Sequence, residues 1–560
     1  MANFAAMPRS VPVLTIILFS ICKTASGADG TLLPGDPNGA EIYQQKCQMC
    51  HQAGGVGVPG VFPPLAGSDW LVNERERVMK ALCEGVQGKI RVNGMDYDGA
   101  MPAQILDDTE AAAVLNYIGQ TWGNSAAAFT KEAIAAVRTK SKFPTYPQLV
   151  AASQYAPLPQ PPAGLAVREI SRLPDGPDFG TRLAGDARGV FILANTGRVW
   201  QLDLATGGLV DVLKPADYLD LSRGGVTALG LMRSADGALW VVTNQQIANP
   251  EQAGGAPLNE VVIHRSAPFT DAAKIGPMQK WFTHHYPHGG GMNHGVSHLA
   301  IGPDGLLYVA SGSRTDGGEK SKIHADAPTG EVDTTACIWR LDPKSTAPKL
   351  EVIARGIRNA YGFAWDGSGH LFTVANGPDA NAPEEMDYIQ PGHHYGFPYQ
   401  FSDWPITPKP YPHTPDAPAG LTFDLPVKNF GPAGGGTASG LSTFDAHSSP
   451  AGIVWCGSNF PEPLRERFLV TRYGNLLGEA RTGNASDVGF DVLSMKMTAT
   501  ADGKWTARTE SILAPLGRPI DALALASGKV LILEYTRPTD FKNSLGWLPG
   551  RVIELSASGK

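Results

Sequence analysis

The chain has few cysteines, little net charge and no long apolar run after its first residues. Each of these features argues against certain classes of protein. It contains six cysteines and has a net charge of −7 in 560 residues. That charge gives no reason to expect a nucleic-acid partner. No later segment is long and apolar enough to cross a membrane. Turn residues are instead abundant, with 65 glycines and 45 prolines, which indicates short strands rather than long helices.

The first residues have the composition of a secretory signal. Arg9 precedes the short apolar run VPVLTIILFSI, and the small residues ASG precede Ala28. We expect residues 1–27 to be removed and the mature protein to be exported, to a bacterial periplasm, with no transmembrane span after cleavage. An uncleaved membrane anchor is the competing interpretation.

The pentapeptide CQMCH is the attachment signature of c-type haem. Cys47 and Cys50 are spaced to form two thioethers to one porphyrin, and His51 then lies beneath the iron as its proximal ligand. A thiol redox pair or half of a zinc site is the alternative for C-x-x-C alone. Met101, in YDGAMPAQ, is the candidate sixth ligand of the iron, with Met95 as its rival. The motif therefore predicts a redox protein that carries haem c.

The haem motif lies in a segment that resembles class I cytochrome c domains. The resemblance covers residues 38–125 and implies a small all-α domain, which closes with the helical pattern DDTEAAAVLNYIGQTW. Residues 126–163 are rich in proline and are expected to form a semi-stiff linker. Cys337 and Cys456 either form a disulfide, which an oxidising compartment permits, or are small buried hydrophobes.

From residue 164 onward, a weak repeat of a tight turn followed by a strand indicates a β-propeller. Its copies are DARGVFILAN from Asp186, ADGALWVVTN from Ala235, PDGLLYVASG from Pro303, GSGHLFTVANG from Gly367, RERFLVTRYG from Arg465 and ASGKVLILEY from Ala526. Six copies predict a mainly β, six-bladed propeller over residues 164–557. A pair of β-sandwiches is the alternative, but it would not explain the repeat.

Five histidines cluster in the segment THHYPHGGGMNHGVSH. They suit loop positions at the edge of a blade, or a metal site formed by His284, His285 and His288. A third interpretation makes one histidine a general base, because imidazole titrates near the operating pH.

Residues 356–400 closely resemble the soluble glucose/sorbosone dehydrogenase family, and most of all its sorbosone-dehydrogenase-type branch. The blocks R-N-x-x-G, N-G-P-D…P-E-E and Y-G-F-P match that family, as do an earlier N-H-G…G-P-D-G-L block and a later G-R-P-I-D block, in the same order. The resemblance covers nearly all of residues 164–557. It implies a six-bladed propeller that binds pyrroloquinoline quinone (PQQ) and calcium.

The resemblance also implies roles for individual residues. His294 matches the catalytic base that takes the proton of the substrate hydroxyl, with His298 as the second candidate. Arg358 and Asn359 match residues that hold the carbonyl region of the quinone, where a cation stabilises developing negative charge. Two further arginines fall where the family supplies cations for the cofactor carboxylates, Arg472 and Arg518.

The calcium that accompanies the quinone is expected beside the N-G-P-D block. Gly377 and Pro378 match positions whose carbonyls bind this ion, and Asn376 lies beside them at a cofactor-contacting position. Calcium prefers oxygen ligands. Glu384 and Glu385 are the nearest carboxylates, and the sequence leaves open which of them binds the ion.

Two departures from the family pattern lie near the expected pocket. The chain reads GGVTALGL around Gly225, where the family often has a glutamine. After VASG, where the family often continues with aspartate, Ser313 and Arg314 follow. These changes make glucose doubtful as the substrate and leave the substrate open.

Together these features predict a quinohaemoprotein dehydrogenase for a sugar, a sugar aldehyde or a related alcohol. Its haem would receive electrons from the quinone and pass them to a downstream cytochrome or a terminal oxidase. One alternative is a non-catalytic propeller that serves as a docking module for an electron-transfer cytochrome. The other is a calcium-dependent propeller lactonase, which would leave the haem domain without a purpose.

Overall fold

The computed structural model describes the chain from residue 38 to residue 558, apart from internal gaps. The described residues are 38–57, 62–101, 104, 106–140, 157–174, 178–186, 188–251, 255–289, 293–321, 326–378, 382–402, 416–435, 443–475, 488–535 and 550–558. The predicted secretory signal, residues 1–27, lies outside them. Among the described helices, none is long and apolar enough to cross a membrane.

The N-terminal domain consists of short helices and one β-hairpin. Its helices are α1 (Gly39–Ile42), a π-helical turn (Tyr43–Cys47), α2 (Gln48–His51), α3 (Asp69–Asn73), α4 (Arg75–Glu84), α5 (Asp108–Gln120) and α6 (Lys131–Lys140), with a 3-10 turn at Ala53–Gly55. The hairpin pairs β1 (Val86–Val92) with β2 (Met95–Met101) and adds to the helical domain that the sequence predicts. A capping box between Asp107 and Glu110 fixes the start of α5, as its acidic first turn indicates.

Helix α6 lies in the segment expected to be a linker, but it packs against the haem domain. Ile134 and Val137 are buried in the same apolar core as the helices α1, α4 and α5. Arg138 donates to the carbonyl of Leu106 (2.6 Å) and pairs with Asp108 (2.7 Å). The folded part of the haem domain therefore extends to the end of α6.

The rest of the described chain forms six sheets, which are the blades of a propeller. The blades are built from the strands β3 (Leu165–Arg172), β4 (Gly180–Asp186), β5 (Gly189–Ala194), β6 (Val199–Leu202), β7 (Leu209–Leu213), β8 (Val226–Arg233), β9 (Leu239–Ile247), β10 (Leu258–Arg265), β11 (Gln279–Pro287), β12 (Val296–Ile301), β13 (Leu307–Ser311), β14 (Cys337–Leu341), β15 (Glu351–Arg355), β16 (Ala360–Trp365), β17 (Leu371–Ala375), β18 (Glu385–Ile389), β19 (Lys428–Pro432), β20 (Pro450–Cys456), β21 (Arg467–Arg472), β22 (Asp491–Ala499), β23 (Trp505–Leu513), β24 (Arg518–Ala524), β25 (Val530–Tyr535) and β26 (Arg551–Ala557). All described strand pairs of the blades are antiparallel except that of β19 with β23, which is parallel. Short 3-10 turns lie at Pro215–Asp217, Leu221–Arg223 and Ala272–Lys274.

The six innermost strands, β4, β8, β12, β16, β20 and β24, contact one another in a closed ring. Equivalent positions lie side by side: Thr181 donates to the carbonyl of Ala228 (3.0 Å), and Ser297 to that of Ala360 (3.2 Å). The inner strands therefore all run in the same direction. The ring is closed by the sheet β24–β25–β26–β3, in which a strand from the start of the propeller pairs with the last strand of the chain.

The six repeat copies found in the sequence correspond to the six blades. Each covers the turn after the inner strand and the strand that follows, so the prediction of six blades is confirmed. In every blade the register between the inner strand and the second strand shifts near the start of the inner strand, which is a β-bulge repeated six times. No residue pattern in the repeat signals this bulge.

A buried ion pair crosses the channel that the inner strands enclose. Arg182 on β4 is fully buried and pairs with Asp521 on β24 (3.3 Å). Its other nitrogens donate to the carbonyl of Leu229 on β8 (2.8 Å) and to that of Tyr361 on β16, whose ring lies under the guanidinium. One side chain thus links four of the six inner strands, and its charge is paired and hydrogen-bonded as burial requires.

The proposed disulfide does not form. Cys337 and Cys456 are free, fully buried thiols that lie in different apolar clusters of the propeller. They behave as small hydrophobes, which was the other interpretation of these residues.

Candidate functional site

The candidate site lies at one mouth of the channel, where the inner strands begin. Because these strands run in the same direction, the residues ahead of them meet at one end of the propeller. These residues are Asp178–Phe179, Gly224–Gly225, His294–Gly295, Arg358–Asn359, Ser448–Ser449 and Leu516–Gly517, and Arg518 is the first residue of β24. Several of the residues selected from the sequence are therefore brought together by the fold.

The imidazole of His294 is held in one tautomer. Its Nδ1 lies 3.0 Å from the hydroxyl oxygen of Ser313 and 3.2 Å from the carbonyl oxygen of the same residue. That hydroxyl donates its own proton to the carbonyl of Thr315 (2.7 Å), so it accepts from the ring. Both partners of Nδ1 are acceptors, and Nδ1 therefore carries the proton. This leaves the lone pair on Nε2, the form that a general base requires.

The environment also keeps this imidazole uncharged. Burial and, second, the positive charge of Arg358 lower the pKa of His294 to about 3, while the Ser313 carbonyl and the charge of Asp316 act in the opposite direction. The ring is consequently neutral at physiological pH and able to take up a proton.

Arg358 is a buried cation with a fixed orientation. Its Nε donates to the carbonyl of Asp316 (2.8 Å), its Nη2 pairs with the Asp316 carboxylate, and its Nη1 donates to the carbonyl of Asn376 (3.1 Å). The side-chain oxygen of Asn376 is buried and accepts no hydrogen bond from the described residues. A buried acceptor of this kind fits a site that binds a donor or a cation.

Asn359 lies against the base. A Cβ built on Gly312 would come within 2.6 Å of His294 Cβ and 3.1 Å of Asn359 Oδ1, so these two side chains flank one glycine. The backbone N–H of Ser313 donates to the carbonyl of Arg358 (2.6 Å), which joins the two loops. The absence of a side chain at Gly312 is therefore what allows the base and Asn359 to lie close together.

Of the two adjacent carboxyl groups Glu384 and Glu385, Glu384 is the one that the charges of the buried arginines Arg358 and Arg472 act on. It is 3% exposed and accepts from the hydroxyl of Ser448 (3.0 Å) and from the backbone N–H of Ser449. Burial raises the pKa of Glu384 to about 8, against the opposing effects of these two hydrogen bonds and of the charges of Arg358 and Arg472. A bound cation would favour the ionised form of this group.

The loop that carries the expected calcium ligands is narrow. A Cβ on Gly377 would lie 3.3 Å from the carbonyl oxygens of both Ala382 and Pro383, so backbone oxygens surround this glycine. Pro378 is buried next to it. The chemistry of these oxygens, with the free acceptor of Asn376 close by, fits the oxygen ligands that calcium prefers.

Glu385 points to a different place from Glu384, because the two residues are adjacent in the chain at the start of β18. Its carboxylate accepts from the backbone N–H of Ser402. Burial and, second, the negative charge of Glu385 raise the pKa of Asp387, the next residue on the same face of the strand. Glu384, and not Glu385, therefore shares the surroundings of Arg358 and Arg472.

The two arginines expected to hold cofactor carboxylates have different partners. Arg472 binds both oxygens of Asp491 (2.8 and 2.7 Å) and one oxygen of Asp445 (3.0 Å). Arg518 lies at the mouth, where it donates to the carbonyls of Gly474 (3.3 Å) and Asn475 (3.2 Å). The charge of Arg472 is already balanced by two carboxylates, whereas these two partners of Arg518 are neutral.

The first three histidines of the cluster do not converge on a metal. His284 Nε2 contacts the hydroxyl of Thr334 (2.9 Å), and His285 Nε2 contacts the carboxylate of Glu260 (2.9 Å). Within the described residues, no group of three or more His, Cys, Asp or Glu side chains is arranged to hold a metal ion. His298 lies on β12 against the ring of Phe363, further along the strand than His294.

The haem motif has the geometry that covalent attachment needs. Cys47 and Cys50 are free thiols, and the two are three positions apart on successive helical turns. His51 is buried, and its Nδ1 donates to the carbonyl of Pro63 (2.9 Å). Because a carbonyl only accepts, this bond fixes the proton on Nδ1 and leaves Nε2 for iron. These residues fit a haem.

The hairpin separates the two candidates for the sixth iron ligand. Met101 ends β2 and packs against the core of the haem domain. Met95 begins the same strand, beside the turn, and is 46% exposed. Met101 thus packs on the core of the domain while Met95 is exposed, and Met101 as the sixth ligand of the iron stays a prediction.

Some residues of the site were not selected from the sequence. Ser313, Thr315 and Asp316 orient His294 and Arg358, and Ser448 and Ser449 bind Glu384. The only signal available in the sequence was the departure at Ser313. Their roles depend on which loops meet at the mouth, and this follows from the closed ring rather than from any local motif.

Comparison with known proteins shows what each of the two parts of the chain is similar to. Residues 37–122 match the cytochrome c family. Cytochrome c-552 of Thermus thermophilus is 42% identical over 125 residues, which are 20% of this chain and 84% of that protein. The cytochrome c subunit of the quinone alcohol dehydrogenase of Gluconobacter oxydans is 33% identical over 90 residues, 16% of this chain and 19% of that subunit.

Residues 248–451 match the glucose/sorbosone dehydrogenase family. A solved structure of the PQQ-bound aldose sugar dehydrogenase of Streptomyces coelicolor is similar, at 17% identity and a TM-score of 0.44, over 71% of this chain and all of that chain. The apo-form of the soluble aldose sugar dehydrogenase of Escherichia coli has 15% identity and a TM-score of 0.46, over 70% of this chain and all of that one.

The fold and the site together define a haem-binding domain joined to a dehydrogenase-type propeller. The chain belongs to the cytochrome c family through its N-terminal domain, and residues 248–451 of its six-bladed propeller match the glucose/sorbosone dehydrogenase family. It therefore combines a cytochrome c domain with a propeller that matches an oxidoreductase family.

Proposed function

We propose that this protein is an exported quinohaemoprotein dehydrogenase that oxidises a sugar, a sugar aldehyde or a related alcohol. The observation that carries the proposal is the neutral imidazole of His294, which has its proton fixed on Nδ1 and lies beside the buried cation of Arg358. A base with a free Nε2 suits removal of a hydroxyl proton. A preorganised cation suits a site where negative charge develops.

The chain's own residues bind and orient the reacting groups. Nε2 of His294 takes the proton from the substrate hydroxyl. When bound, PQQ supplies the acceptor for the hydride that leaves the adjacent carbon. Arg358 and Asn359 would hold the quinone carbonyls, while Arg518 and, in part, Arg472 would supply positive charge for its carboxylates.

Calcium has a natural position in the loop after β17. The backbone carbonyls of Gly377 and Pro378 and the free side-chain oxygen of Asn376 are the ligands that we assign to it, with Glu384 as the nearest carboxylate. Glu384 would then ionise. We assign Glu385 to the support of the Ser402 loop instead, because its carboxylate accepts from the Ser402 backbone.

The haem domain would supply the outlet for electrons. Oxidation of one substrate molecule releases two electrons and two protons, and a bound c-type haem would supply one-electron redox chemistry. His51 and Met101 would be the protein ligands of its iron. The electrons then leave to a cytochrome or a terminal oxidase outside the cytoplasm, and the protons leave to solvent.

Reconstitution tests this proposal directly. Purified protein is supplied with PQQ and calcium, and the haem absorption is followed while aldoses, sugar aldehydes and alcohols are added in turn. We expect haem reduction that requires PQQ, calcium and one class of substrate. A haem that stays oxidised with every compound, in a protein that binds no quinone, would instead support a propeller that serves only as a docking module.

Replacement of the base separates binding from turnover. In His294→Ala we expect haem content and quinone binding to stay unchanged, because neither depends on Nε2, while substrate-driven haem reduction falls by roughly 100-fold or more. The control is His285→Ala, whose ring contacts Glu260 and lies outside the proposed site. Equal activity in the two variants would contradict the assignment of His294.

A further inference from the structure

The haem-attachment motif itself contacts the propeller. Gly225, which lies immediately ahead of the inner strand β8, has the side-chain amide of Gln48 against its α-carbon. A Cβ built on Gly225 would lie 2.3 Å from Gln48 Nε2 and 2.9 Å from Gln48 Cδ. The missing side chain at Gly225 therefore provides the space that Gln48 occupies.

The receiving surface is preformed. Gly224 has φ = 147°, and a Cβ there would lie 2.2 Å from the carbonyl oxygen of Gln246, so the backbone takes a path that only glycine follows readily. Gln245 Nε2 donates to the carbonyls of Asp220 (2.7 Å) and Gly224 (2.9 Å). We call the residues Gly224 and Gly225 the glycine notch. These bonds hold the notch in place whether or not the haem domain is seated on it.

An electrostatic interaction points to the neighbouring blade. Burial lowers the pKa of Lys46, which precedes the haem motif, and the charges of Glu110 and, last, of Asp178 oppose this shift. Asp178 lies two residues ahead of the inner strand β4. The Asp178 carboxylate is held in position by Arg198 (2.6 Å). Lys46 and Gln48 thus face the corresponding positions of two adjacent blades, with a charge of opposite sign opposite the lysine.

These contacts determine which part of the haem faces the propeller. Gln48 lies between Cys47 and Cys50, the two points where the porphyrin edge is attached. The glycine notch occupies the same position on its blade as His294 and Arg358 occupy on theirs, two residues or one ahead of an inner strand. The segment between the two attachment cysteines therefore faces the mouth that holds the candidate site, and a haem attached to Cys47 and Cys50 would be held near that mouth.

We propose that the haem domain docks in a fixed position on the rim of the propeller mouth, with Gln48 seated in the glycine notch and Lys46 facing Asp178. The occupant of this surface is the chain's own haem domain rather than a separate cytochrome. The docking rests on the contacts alone, and its use as an electron path rests on the function proposed above. A domain that swings freely on its linker is the contrary case.

A single substitution in the haem domain tests the docking. In Gln48→Trp the larger ring does not fit against the backbone at Gly225, and the C-x-x-C-H motif is left intact. The matched control is Val72→Trp, which adds the same ring on an exposed face of the same domain, where Val72 is 59% exposed. Both variants are made as full-length protein, and complete haem attachment is verified by absorption.

Two measurements are made on each protein. Small-angle X-ray scattering reports whether the haem domain stays on the propeller. Stopped-flow absorption reports the rate at which substrate reduces the haem, and a small artificial acceptor reports substrate oxidation independently of the haem. For Gln48→Trp we expect a larger radius of gyration, haem reduction slower by roughly tenfold or more, and unchanged oxidation with the artificial acceptor, because undocking removes the high local concentration of the haem.

The outcomes separate the docking from the enzymatic proposal. Scattering of Gln48→Trp identical to that of the parent and of Val72→Trp overturns the docking. A larger radius with undiminished haem reduction retains the docking but overturns its role in electron transfer. If the parent protein oxidises none of the substrates, the proposed function fails, and the scattering still decides the docking. Gly225→Trp, which fills the notch from the propeller side, is expected to enlarge the radius in the same way.

Discussion

At the scale of the residue, the candidate site depends on hydrogen bonds that determine which atoms carry protons. The Ser313 hydroxyl donates its proton to the carbonyl of Thr315 and therefore accepts a hydrogen bond from Nδ1 of His294. In the haem domain, the carbonyl of Pro63 accepts a hydrogen bond from Nδ1 of His51. In both places an acceptor at Nδ1 leaves Nε2 available, for a proton in one case and for iron in the other. Neutral acceptors raise the pKa of the ring that they orient far less than a carboxylate would.

This arrangement predicts an unusual pH profile. Because burial and the charge of Arg358 lower the pKa of His294 to about 3, we expect kcat/KM for substrate oxidation to stay flat from neutral pH down to about pH 5. In Ser313→Asp a carboxylate beside Nδ1 favours the protonated ring, so the pKa rises and the acid limb moves to higher pH. The profile is measured with an artificial acceptor, to exclude effects on the haem.

Ser313→Ala is the matched control for that profile. It adds no charge, so the acid limb stays in place, while loss of one acceptor at Nδ1 lowers the rate by roughly tenfold at every pH. An acid limb near pH 6 in the parent protein would contradict the assignment of a neutral, buried base.

At the scale of the element, the propeller is held closed by one strand pair from the two ends of its sequence. β3 pairs with β26, and Arg551 on β26 joins them by donating to Glu169 on β3 (3.2 Å) and to Glu534 on β25. Glu534 is 1% exposed and also accepts from the backbone N–H of Gly517 at the mouth (2.7 Å). The carboxylate of Glu534 therefore binds both Arg551, which helps to close the ring of blades, and Gly517, which lies at the mouth.

Replacement of Arg551 should weaken the strand pair that closes the ring of blades. In Arg551→Met the buried carboxylate of Glu534 loses its charged partner, and we expect the free energy of unfolding of the propeller to fall by about 3–5 kcal/mol.

Arg168→Met is the control, because Arg168 also joins β3 to β26 through Glu554 but is half-exposed, and Glu554 keeps Lys529 (3.1 Å). Its expected effect is about 1 kcal/mol or less. Thermal and denaturant unfolding followed by tryptophan fluorescence compares the two, and equal losses would contradict this account of the closure.

The strands and loops also show which features of the structure can be predicted from the sequence. The repeat predicts the number of blades because every copy contains the turn and the second strand, which are local features of the chain. Likewise the resemblance selects His294 and Arg358 because they lie inside short motifs. The bulges, the hairpin of the haem domain and the partners of Glu384 are not predictable in this way, since each depends on contacts that no local motif records. Arg472 illustrates the same limit, because its pairing with Asp491 and Asp445 is visible only in the fold.

At the scale of the whole molecule, the proposed function divides the reaction between the two domains. In that proposal the propeller holds the groups that act on the substrate, and the haem domain holds the groups that carry electrons away. The division predicts that one half of the reaction survives loss of the other.

Loss of one thioether tests this division. In Cys50→Ala we expect haem attachment to fall sharply, reduction of an external cytochrome to fall in proportion, and substrate oxidation with a small artificial acceptor to persist. Cys83→Ala is the control, a buried cysteine of the same domain that lies outside the haem motif. The two activities are measured in parallel on each protein. Undiminished reduction of the cytochrome by a preparation of Cys50→Ala that lacks haem would place the haem outside the electron path.

The buried pair of Arg182 and Asp521 has a consequence for how substrate and product enter and leave the propeller channel. The Arg182 side chain, which starts on β4, also reaches the carbonyls of Leu229 on β8 and Tyr361 on β16, so one buried cation links strands from four blades inside the channel. Under the proposed function, substrate and product would both pass the rim of the mouth above this cation. A haem domain docked on that rim would therefore also affect the rate at which product is released and the next substrate molecule binds.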